Sequence, residues 1–280
     1  MPDHMIRDWN AGDRPALKEL WKQCFGDPDE YIDSFFELFL QPGRCLVAEA
    51  DSRPISAMYI LPDIQLFPHR KENLTAGYAY ALATLPEYRG RGIGTAVFKA
   101  VSDRILETAD AACVLPAEEG LYPFYEDAVG AKPVSFLRQA RFTRDELRKF
   151  QPCGGARIPT LEYAAIREQL LHGYPHASYD QEIYDLLEAG GCDFLVTANG
   201  LAAAETADGV CRVTELLDPT EDVMSSIACV ARWCPAKEYI VRTPLFFEAP
   251  GETRPFMLGA LGREPAHPMS DELWWGFGLD

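Results

Sequence analysis

The sequence predicts an α/β fold with mixed sheets, built from two halves that follow one pattern. In the first half, two helical segments come before three strands, and a helix, a strand, a helix and a strand follow them. The second half begins in the same way, with helices, three strands, a helix and a strand. Between them, the segment 151–155 concentrates proline and glycine after a charged run, which is typical of a linker. We therefore expect two domains, at 1–150 and 156–280, and an unrelated α+β second domain is the alternative to a repeat.

Amphipathic spacing predicts two helices near the start of the chain. Apolar residues of the segment 13–25 recur on one face, with Asp13 as a candidate cap and Pro15 in the first turn. The segment 31–40 carries an aromatic stripe, which is either part of the core or a lid over an acceptor pocket, and the core is the simpler interpretation. The other elements predicted in this half are strands at 45–50, 55–61, 77–85, 112–115 and 134–142 and helices at 95–107 and 121–128.

In the second half, Asn199-Gly200 separates two apolar runs and predicts a β-hairpin. The other elements follow from periodicity in the same way. They are helices at 161–172, 181–189 and 221–233 and strands at 194–197, 201–205, 211–217 and 238–243. The aromatic run 274–277 is interpreted as a closing strand packed on the sheet.

The segment Leu85–Thr95 carries the strongest indication of chemistry. It contains Arg89-Gly90-Arg91-Gly92-Ile93-Gly94 between a predicted strand and a predicted helix. Glycines let a backbone approach a ligand closely, and the free N–H groups at a helix start attract an anion. The alternative is an ordinary strand-to-helix turn with two solvated arginines, because the spacing is that of neither a P-loop nor a dinucleotide fingerprint.

At these residues the sequence resembles the acetyl-CoA pyrophosphate loop of the GNAT superfamily of acyltransferases, Arg/Gln-x-x-Gly-x-Gly/Ala. Arg89, Gly92 and Gly94 fill its fixed positions. Downstream, Leu115–Gly130 resembles the fifth strand and the following helix of that family. The resemblance implies the GNAT fold and acetyl-CoA as co-substrate.

The resemblance also implies roles for individual residues. Acetyl-CoA would lie against the end of the fourth strand and the loop after it, where backbone N–H groups stabilise the oxyanion. By this alignment the cofactor-binding residues are Leu82, Ala83, Thr84, Arg89, Gly90, Arg91, Gly92, Ile93, Gly94 and Thr95. Tyr125 would protonate the departing thiolate, with Tyr122 as the alternative, and either tyrosine could instead be a helix residue packed on the sheet. Glu118 is the leading candidate for the general base, followed by Glu119, although a solvated loop pair would look the same.

The repeat of two halves resembles the enhanced intracellular survival family of GNAT enzymes. We expect this chain to lack the C-terminal sterol-carrier-like domain of that family, which leaves a catalytic role for Asp280 doubtful. Where the first half has its glycine-rich loop, the second half has Asp218–Asp222, an acidic helix start that would repel a pyrophosphate. We therefore expect a degenerate second GNAT-like domain and one active site.

Composition restricts the class of protein further. The formal net charge is −17, which disfavours binding to nucleic acid. This acidity either serves solubility, the simpler interpretation, or steers a cationic acceptor. The eight scattered cysteines are expected to be reduced thiols, and the five histidines form no ligand spacing, so no metal site is expected. Without a long apolar run or a signal peptide pattern, we expect a cytoplasmic protein that does not enter a membrane.

The sequence therefore predicts an acetyl-CoA-dependent N-acetyltransferase. Its acceptor would be a primary amine of a small cationic molecule such as an aminoglycoside or a polyamine. The alternative is a non-catalytic acyl-CoA-binding sensor or scaffold with the same fold. The acyl chain length and the oligomeric state stay open, and a homo-oligomer is compatible with the sequence.

Overall fold

The computed structural model describes residues 4–69, 72–262 and 270–279. The helices of the chain are α1 (Arg14–Phe25), α2 (Asp29–Phe39), α3 (Ile93–Leu106), α4 (Tyr122–Val129), α5 (Arg144–Leu147), α6 (Thr160–Leu171), α7 (Gln181–Ala189) and α8 (Val223–Trp233). The strands before α6 are β1 (Met5–Asp8), β2 (Cys45–Ala50), β3 (Arg53–Ile60), β4 (Ile64–His69), β5 (Glu72–Thr84), β6 (Ala111–Val114), β7 (Lys132–Pro133), β8 (Phe136–Thr143) and β9 (Gly155–Arg157). The later strands are β10 (His176–Ser178), β11 (Asp193–Thr197), β12 (Leu201–Ala207), β13 (Val210–Leu217), β14 (Glu238–Thr243), β15 (Glu252–Pro255) and β16 (Leu258–Leu261).

The chain forms two compact units, here called the first and the second unit. In the part of the chain that the structure describes, the first unit contains residues 4–65, 74–132 and 258–262. The second unit contains the rest, mainly 133–257 and 270–279. Each unit has its own mixed sheet.

The sheet of the first unit has the strand order β1-β2-β3-β5-β6-β16. In this order β5 and β6, which α3 connects, are parallel, and the other neighbouring strands are antiparallel. The helix α3 packs on β2, β3 and β6, and α1 packs on β3. The aromatic stripe of α2 lies in the core, since Phe35, Phe36 and Phe39 are at most 1% exposed. The simpler interpretation of that stripe is thereby confirmed.

A β-bulge lies near the end of β5. Ala57 of β3 pairs with Ala83, whereas Tyr59 pairs with Tyr80, so β5 holds one residue more than β3 in this interval. Within this interval Ala81 has a left-handed backbone conformation, with φ 53°, and is the bulged residue. A bulge of this kind increases the local twist and turns a strand away from its neighbour.

The sheet of the second unit has the order β15-β8-β14-β13-β12-β11-β9. Its parallel pair, β13 and β14, is connected by α8, as β5 and β6 are connected by α3. A register shift between Ala203 and Ala204 marks a bulge between β12 and β13, the counterpart of the bulge in β5. These shared features are consistent with the repeat expected from the order of elements.

One strand pairs in a different sheet from the one that the sequence suggested. The strand expected at 134–142 belongs to the first half of the sequence, but β8 pairs with β14 and β15 in the second sheet. In the first sheet β16, from the end of the chain, pairs antiparallel with β6. Strand pairing depends on contacts far apart in sequence, which local periodicity does not encode. The domain ranges 1–150 and 156–280 stay a prediction.

Several short elements were not predicted, namely β1, β4, β7, β9, β10, β15, β16 and α5. The run 274–277 is not a closing strand, because it forms only a single bridge, between Trp274 and His176. Asp13 stands at the cap position of α1 but makes no capping hydrogen bond there. Its carboxylate instead accepts from Arg7 at 2.7 Å and from the Asn10 backbone N–H at 2.8 Å. No helix in the described ranges is both long and apolar enough to span a bilayer.

A buried ion pair lies inside the second unit. Arg167 of α6 and Glu215 of β13 are both fully buried, and Arg167 Nε donates to Glu215 Oε1 at 2.9 Å. Tyr163 Oη and Trp274 Nε1 donate to the two carboxylate oxygens at 2.8 and 2.6 Å. A buried charge is tolerated only when such partners compensate for its lost hydration. This network therefore connects α6, the sheet and the C-terminal segment.

Replacing this carboxylate should be strongly destabilising. We expect Glu215→Gln to lower the free energy of unfolding by about 3–5 kcal/mol, because the buried Arg167 would keep only its longer contact, of 3.3 Å, with the partly exposed Glu168 carboxylate. Denaturant unfolding followed by circular dichroism measures the change. The control is Asp145→Asn, which removes an exposed pair with Arg148 and should leave stability unchanged within error. Equal effects of the two variants would contradict this account.

Candidate active site

The candidate site lies at the end of β5 and the start of α3, both in the first unit. The parallel ladder between β5 and β6 consists of Ala76–Tyr78 paired with Ala111–Cys113. Among the described residues, none of β6 pairs with 79–84, although β3 follows β5 up to Thr84. The last six residues of β5 therefore have a neighbour on one side only. Open backbone groups at the carboxyl end of a parallel pair are where ligands bind in α/β sheets.

The loop after β5 has the backbone geometry of an anion cradle. Gly90 and Gly92 have φ of 71° and 77°, a conformation that strains a residue with a side chain. Gly92 is the N-cap of α3, so the N–H groups of Ile93, Gly94 and Thr95 have no acceptor within the helix. These donors and the helix dipole together favour an anion at this position.

Gly94 has a different role from the two glycines before it. A methyl group at Gly94 would lie 3.3 Å from Thr84 Oγ1 and 3.8 Å from a methyl carbon of Leu82. The absence of a side chain therefore lets the first turn of α3 pack closely against the end of β5. The predicted phosphate loop and the predicted oxyanion strand are brought together here.

The two arginines of the loop stabilise its conformation. Arg89 Nε donates to the Thr84 carbonyl oxygen at 2.9 Å, which fixes the loop to the end of β5. Arg91 Nη2 donates to the Glu87 carbonyl oxygen at 2.7 Å, and its guanidinium lies 5.4 Å from the centre of the Tyr88 ring. Both arginines are exposed, so they add positive potential next to the helix start.

Tyr125 lies on α4 and packs against α3. Its ring meets that of Phe98 edge to face at 4.9 Å, one helical turn beyond Gly94, and it also contacts Phe124. Only 7% of the residue is exposed, and burial raises the pKa of the Tyr125 hydroxyl to about 12. Within the described ranges no group hydrogen-bonds this hydroxyl. The phenol is therefore protonated at neutral pH and has a proton to donate.

The other two predicted catalytic residues lie near the start of α4. Tyr122 is its first residue and is half-buried. Glu118 directly precedes the short 3₁₀ turn Glu119–Leu121, and its side chain is exposed. Within the described ranges the structure records no side-chain hydrogen bond or ion pair between Glu118 and the strand or loop of the site. Asp280 lies outside the described residues.

Four residues near the site were not singled out for it by the sequence. Ser56, fully buried on β3, donates to the Ala83 carbonyl oxygen at 2.7 Å and is 2.8 Å from Thr84 Oγ1. The Cys24 thiol lies 3.5 Å from the Thr84 carbonyl oxygen and from Arg89 Nη2.

Next to the bulge, the hydroxyls of Tyr31 and Tyr80 are 3.3 Å apart. The pKa of Tyr80 is raised well above its ordinary value, chiefly by burial and then by Tyr31. No sequence motif indicates these contacts, because each joins segments more than 25 residues apart.

The second unit has a different turn at the corresponding position. The Asp218 carboxylate, 2% exposed, accepts hydrogen bonds from the Thr220 backbone N–H at 2.9 Å and from Ser226 Oγ at 2.7 Å. It also accepts from Thr220 Oγ1 at 2.6 Å. A buried carboxylate therefore lies at this turn, where the first unit has its glycine-rich loop. This observation supports the expectation of one site, in the first unit.

Comparisons with solved structures identify the fold. The chain is similar to the crystal structure of a GCN5-related N-acetyltransferase from Kribbella flavida, with a TM-score of 0.68 and 16% identity over 93% of this chain and 72% of that one. A GCN5-related N-acetyltransferase from Anabaena variabilis gives 0.68 and 14%, over 93% and 73%. Eis1 from Mycobacterium abscessus gives 0.64 and 14%, over 93% and 74%. The chain therefore has the GNAT fold, as predicted, in an arrangement consistent with two tandem GNAT-like domains.

Sequence comparison agrees with the fold in the first part of the chain. Residues 5–128 match the family model described as an acetyltransferase (GNAT) domain. This range ends within α4 and contains the end of β5, the glycine-rich loop and Tyr125. A search of curated proteins gives no match.

The raised pKa of Tyr125 has a measurable consequence at high pH. Below about pH 10 the phenol is protonated in both the folded and the unfolded chain, so its contribution to stability is complete. Above that pH the unfolded chain loses the proton first, and the contribution is lost as the pH rises toward about 12. Relative to Tyr125→Phe, wild type should lose about 1 kcal/mol between pH 8 and about pH 10.5.

Denaturant unfolding of both proteins at each pH measures this difference. The phenylalanine variant serves as the control, because it retains every other buried tyrosine. A stability difference that stays constant from pH 8 to about pH 10.5 would mean that the Tyr125 hydroxyl is solvated.

Proposed function

We propose that this chain is an acetyl-CoA-dependent N-acetyltransferase that uses a primary amine of a small cationic molecule as acceptor. The observation that carries the proposal is the junction of β5 with α3. The strand edge beyond Tyr78 has no partner from β6, and the left-handed glycines expose the first N–H groups of α3 beside it. The match of residues 5–128 to an acetyltransferase domain supports the same reading.

The geometry suggests how this junction would bind acetyl-CoA. The loop Arg89–Thr95 would hold the pyrophosphate through backbone N–H groups and the nearby arginines. The thioester would extend along the open edge of β5, where backbone N–H groups within Leu82–Thr84 would donate to the oxyanion. Ser56 and Arg89 hold the carbonyl oxygens of Ala83 and Thr84 and so fix the orientation of these peptide groups.

Acid–base chemistry would come from α4 and the loop before it. As the amine nitrogen forms its bond to the carbonyl carbon and the carbon–sulfur bond breaks, Tyr125 would donate to the departing sulfur. Its raised pKa keeps the proton available at neutral pH. Glu118 is exposed and could accept the ammonium proton directly or through water. A cationic acceptor agrees with the net charge of −17.

Calorimetry with acetyl-CoA, followed by a thiol-release assay over a panel of amines, tests the function. The panel should include aminoglycosides, polyamines, amino acids and protein N-termini. We expect binding and amine-dependent release of the thiol. Binding without release for every amine would favour the acyl-CoA-binding sensor, and no binding would contradict both functions.

The role of Tyr125 is tested by removing its hydroxyl. Tyr125→Phe should lower turnover at least about tenfold while the dissociation constant of CoA stays the same, because the proton donor is lost but the packing is kept. Steady-state kinetics and calorimetry measure the two quantities. Tyr122→Phe is the matched control, and a large loss of turnover in that variant alone would assign the acid to Tyr122.

The role of the loop is tested by a matched pair of glycine variants. Gly92→Ala should raise the CoA dissociation constant about tenfold or more, because alanine shifts the cradle away from φ 77°. Gly209→Ala is the control, since Gly209 has φ 79° in the turn between β12 and β13 of the second unit. Both variants should lose about 1 kcal/mol of stability, but only the first should weaken CoA binding. Equal CoA affinities in the two variants would place the cofactor elsewhere.

A further inference from the structure

Two cysteines of the second unit lie close together in a way that acyl transfer does not use. Cys153 lies between α5 and β9, in the segment predicted as a linker, and Cys229 lies in α8. Both are free thiols. They are far apart in sequence, so the fold alone brings them together.

Two contacts place Cys153 against α8, next to Cys229. The Cys153 backbone N–H donates to the Ser225 carbonyl oxygen at 3.3 Å, and the Cys153 sulfur lies 3.9 Å from Ser226 Oγ. Ser225 and Ser226 precede Cys229 by one helical turn, so their side chains are neighbours of Cys229 on the surface of α8.

Gly155 shows how closely this segment lies over α8. A methyl group at Gly155 would be 2.7 Å from the Cys229 sulfur, so the chain at 153–155 covers that thiol directly. Cys153 stands two residues before this contact on the same short segment, and a disulfide to Cys229 needs the two β-carbons about 4 Å apart.

The two thiols differ in their access to solvent. Cys153 is half-buried, whereas Cys229 is 1% exposed. Burial, and then the neighbouring Cys153, raise the pKa of the Cys229 thiol to about 12, so Cys229 is protonated at neutral pH. An oxidant from solvent therefore meets Cys153 first, and Cys229 lies behind it as the resolving thiol.

We propose that Cys153 and Cys229 are a peroxide-reactive thiol pair that closes to a reversible disulfide. The Cys153 sulfur takes one oxygen from the peroxide, whose O–O bond breaks, and forms a sulfenic acid with release of water. The Cys229 sulfur then bonds to the Cys153 sulfur, and the sulfenic oxygen leaves as a second molecule of water. The two thiols lose two electrons and two protons in total, and the peroxide is reduced.

A second thiol pair in the same unit does not share this access. The thiols of Cys211 and Cys234 are close enough to shift each other's pKa, lowering that of Cys211 and raising that of Cys234. Both are buried in the apolar core, at 0% and 3% exposure. Without a solvent-facing partner, this pair lacks the thiol at which a peroxide would react first.

Mass spectrometry of the full chain tests the proposal. The reduced protein is treated with hydrogen peroxide, its free thiols are blocked, and the digest is searched for cross-linked peptides. We expect a Cys153–Cys229 cross-link, an intact mass lower by two hydrogen atoms, and reversal by a thiol reductant. A cross-link between Cys211 and Cys234 instead, or Cys153 and Cys229 both recovered as blocked free thiols, would overturn the proposal.

Serine variants assign the order of the two steps. Cys229→Ser should leave Cys153 as a sulfenic acid that dimedone traps, and Cys153→Ser should form no cross-link. Cys24→Ser is the matched control, since Cys24 is also a half-buried thiol but lies in the first unit, and it should cross-link like wild type. In the Cys153→Ser protein, dimedone should label Cys229 slowly or not at all. Labelling of Cys229 as fast as the wild-type protein cross-links would mean that Cys229 reacts first with peroxide, which would contradict the proposed order.

Discussion

The separation of β5 from β6 beyond Tyr78 is the constraint on which the candidate site depends. A parallel pair that continued to Thr84 would use the backbone groups of β5 for the ladder and leave none for a ligand. The bulge at Ala81 lets β5 turn away from β6 while it stays paired with β3. The open edge therefore results from an extra residue in one strand, and no special side chain is required to create it.

Small residues then bring the loop to this edge. Gly94 allows α3 to pack on Thr84, while Gly90 and Gly92 provide the left-handed turns before the helix. Ser56 on β3 donates to the carbonyl oxygen of Ala83, and Arg89 in the loop donates to that of Thr84, so the last two residues of β5 are held from two elements. The candidate anion cradle and the candidate oxyanion strand are thus parts of one packed junction. A change in the loop geometry should therefore also shift the peptide groups at the end of β5.

The second unit shows that the topology alone does not make this site. It has the same parallel pair around a helix and a bulge at the corresponding strand, yet the buried carboxylate of Asp218 lies at its turn in place of a glycine-rich loop. Its buried ion pair, Arg167 with Glu215, instead joins the helix α6 to the sheet and to the C-terminal segment. The two sheets therefore share this arrangement, whereas the glycine-rich loop is present in the first unit and replaced in the second.

By itself, the sequence determined the mixed α/β class, most helices and central strands, the aromatic core of α2 and the glycine-rich loop, because periodicity and turn chemistry are local. It also gave the resemblance that pointed to the GNAT fold. Only the tertiary structure decided that β8 belongs to the second sheet and β16 to the first, since strand pairing joins distant segments. The contacts of Ser56 and Cys24 with the end of β5, and of Cys153 with the helix that carries Cys229, could not be predicted either, because each depends on packing between elements that no motif connects.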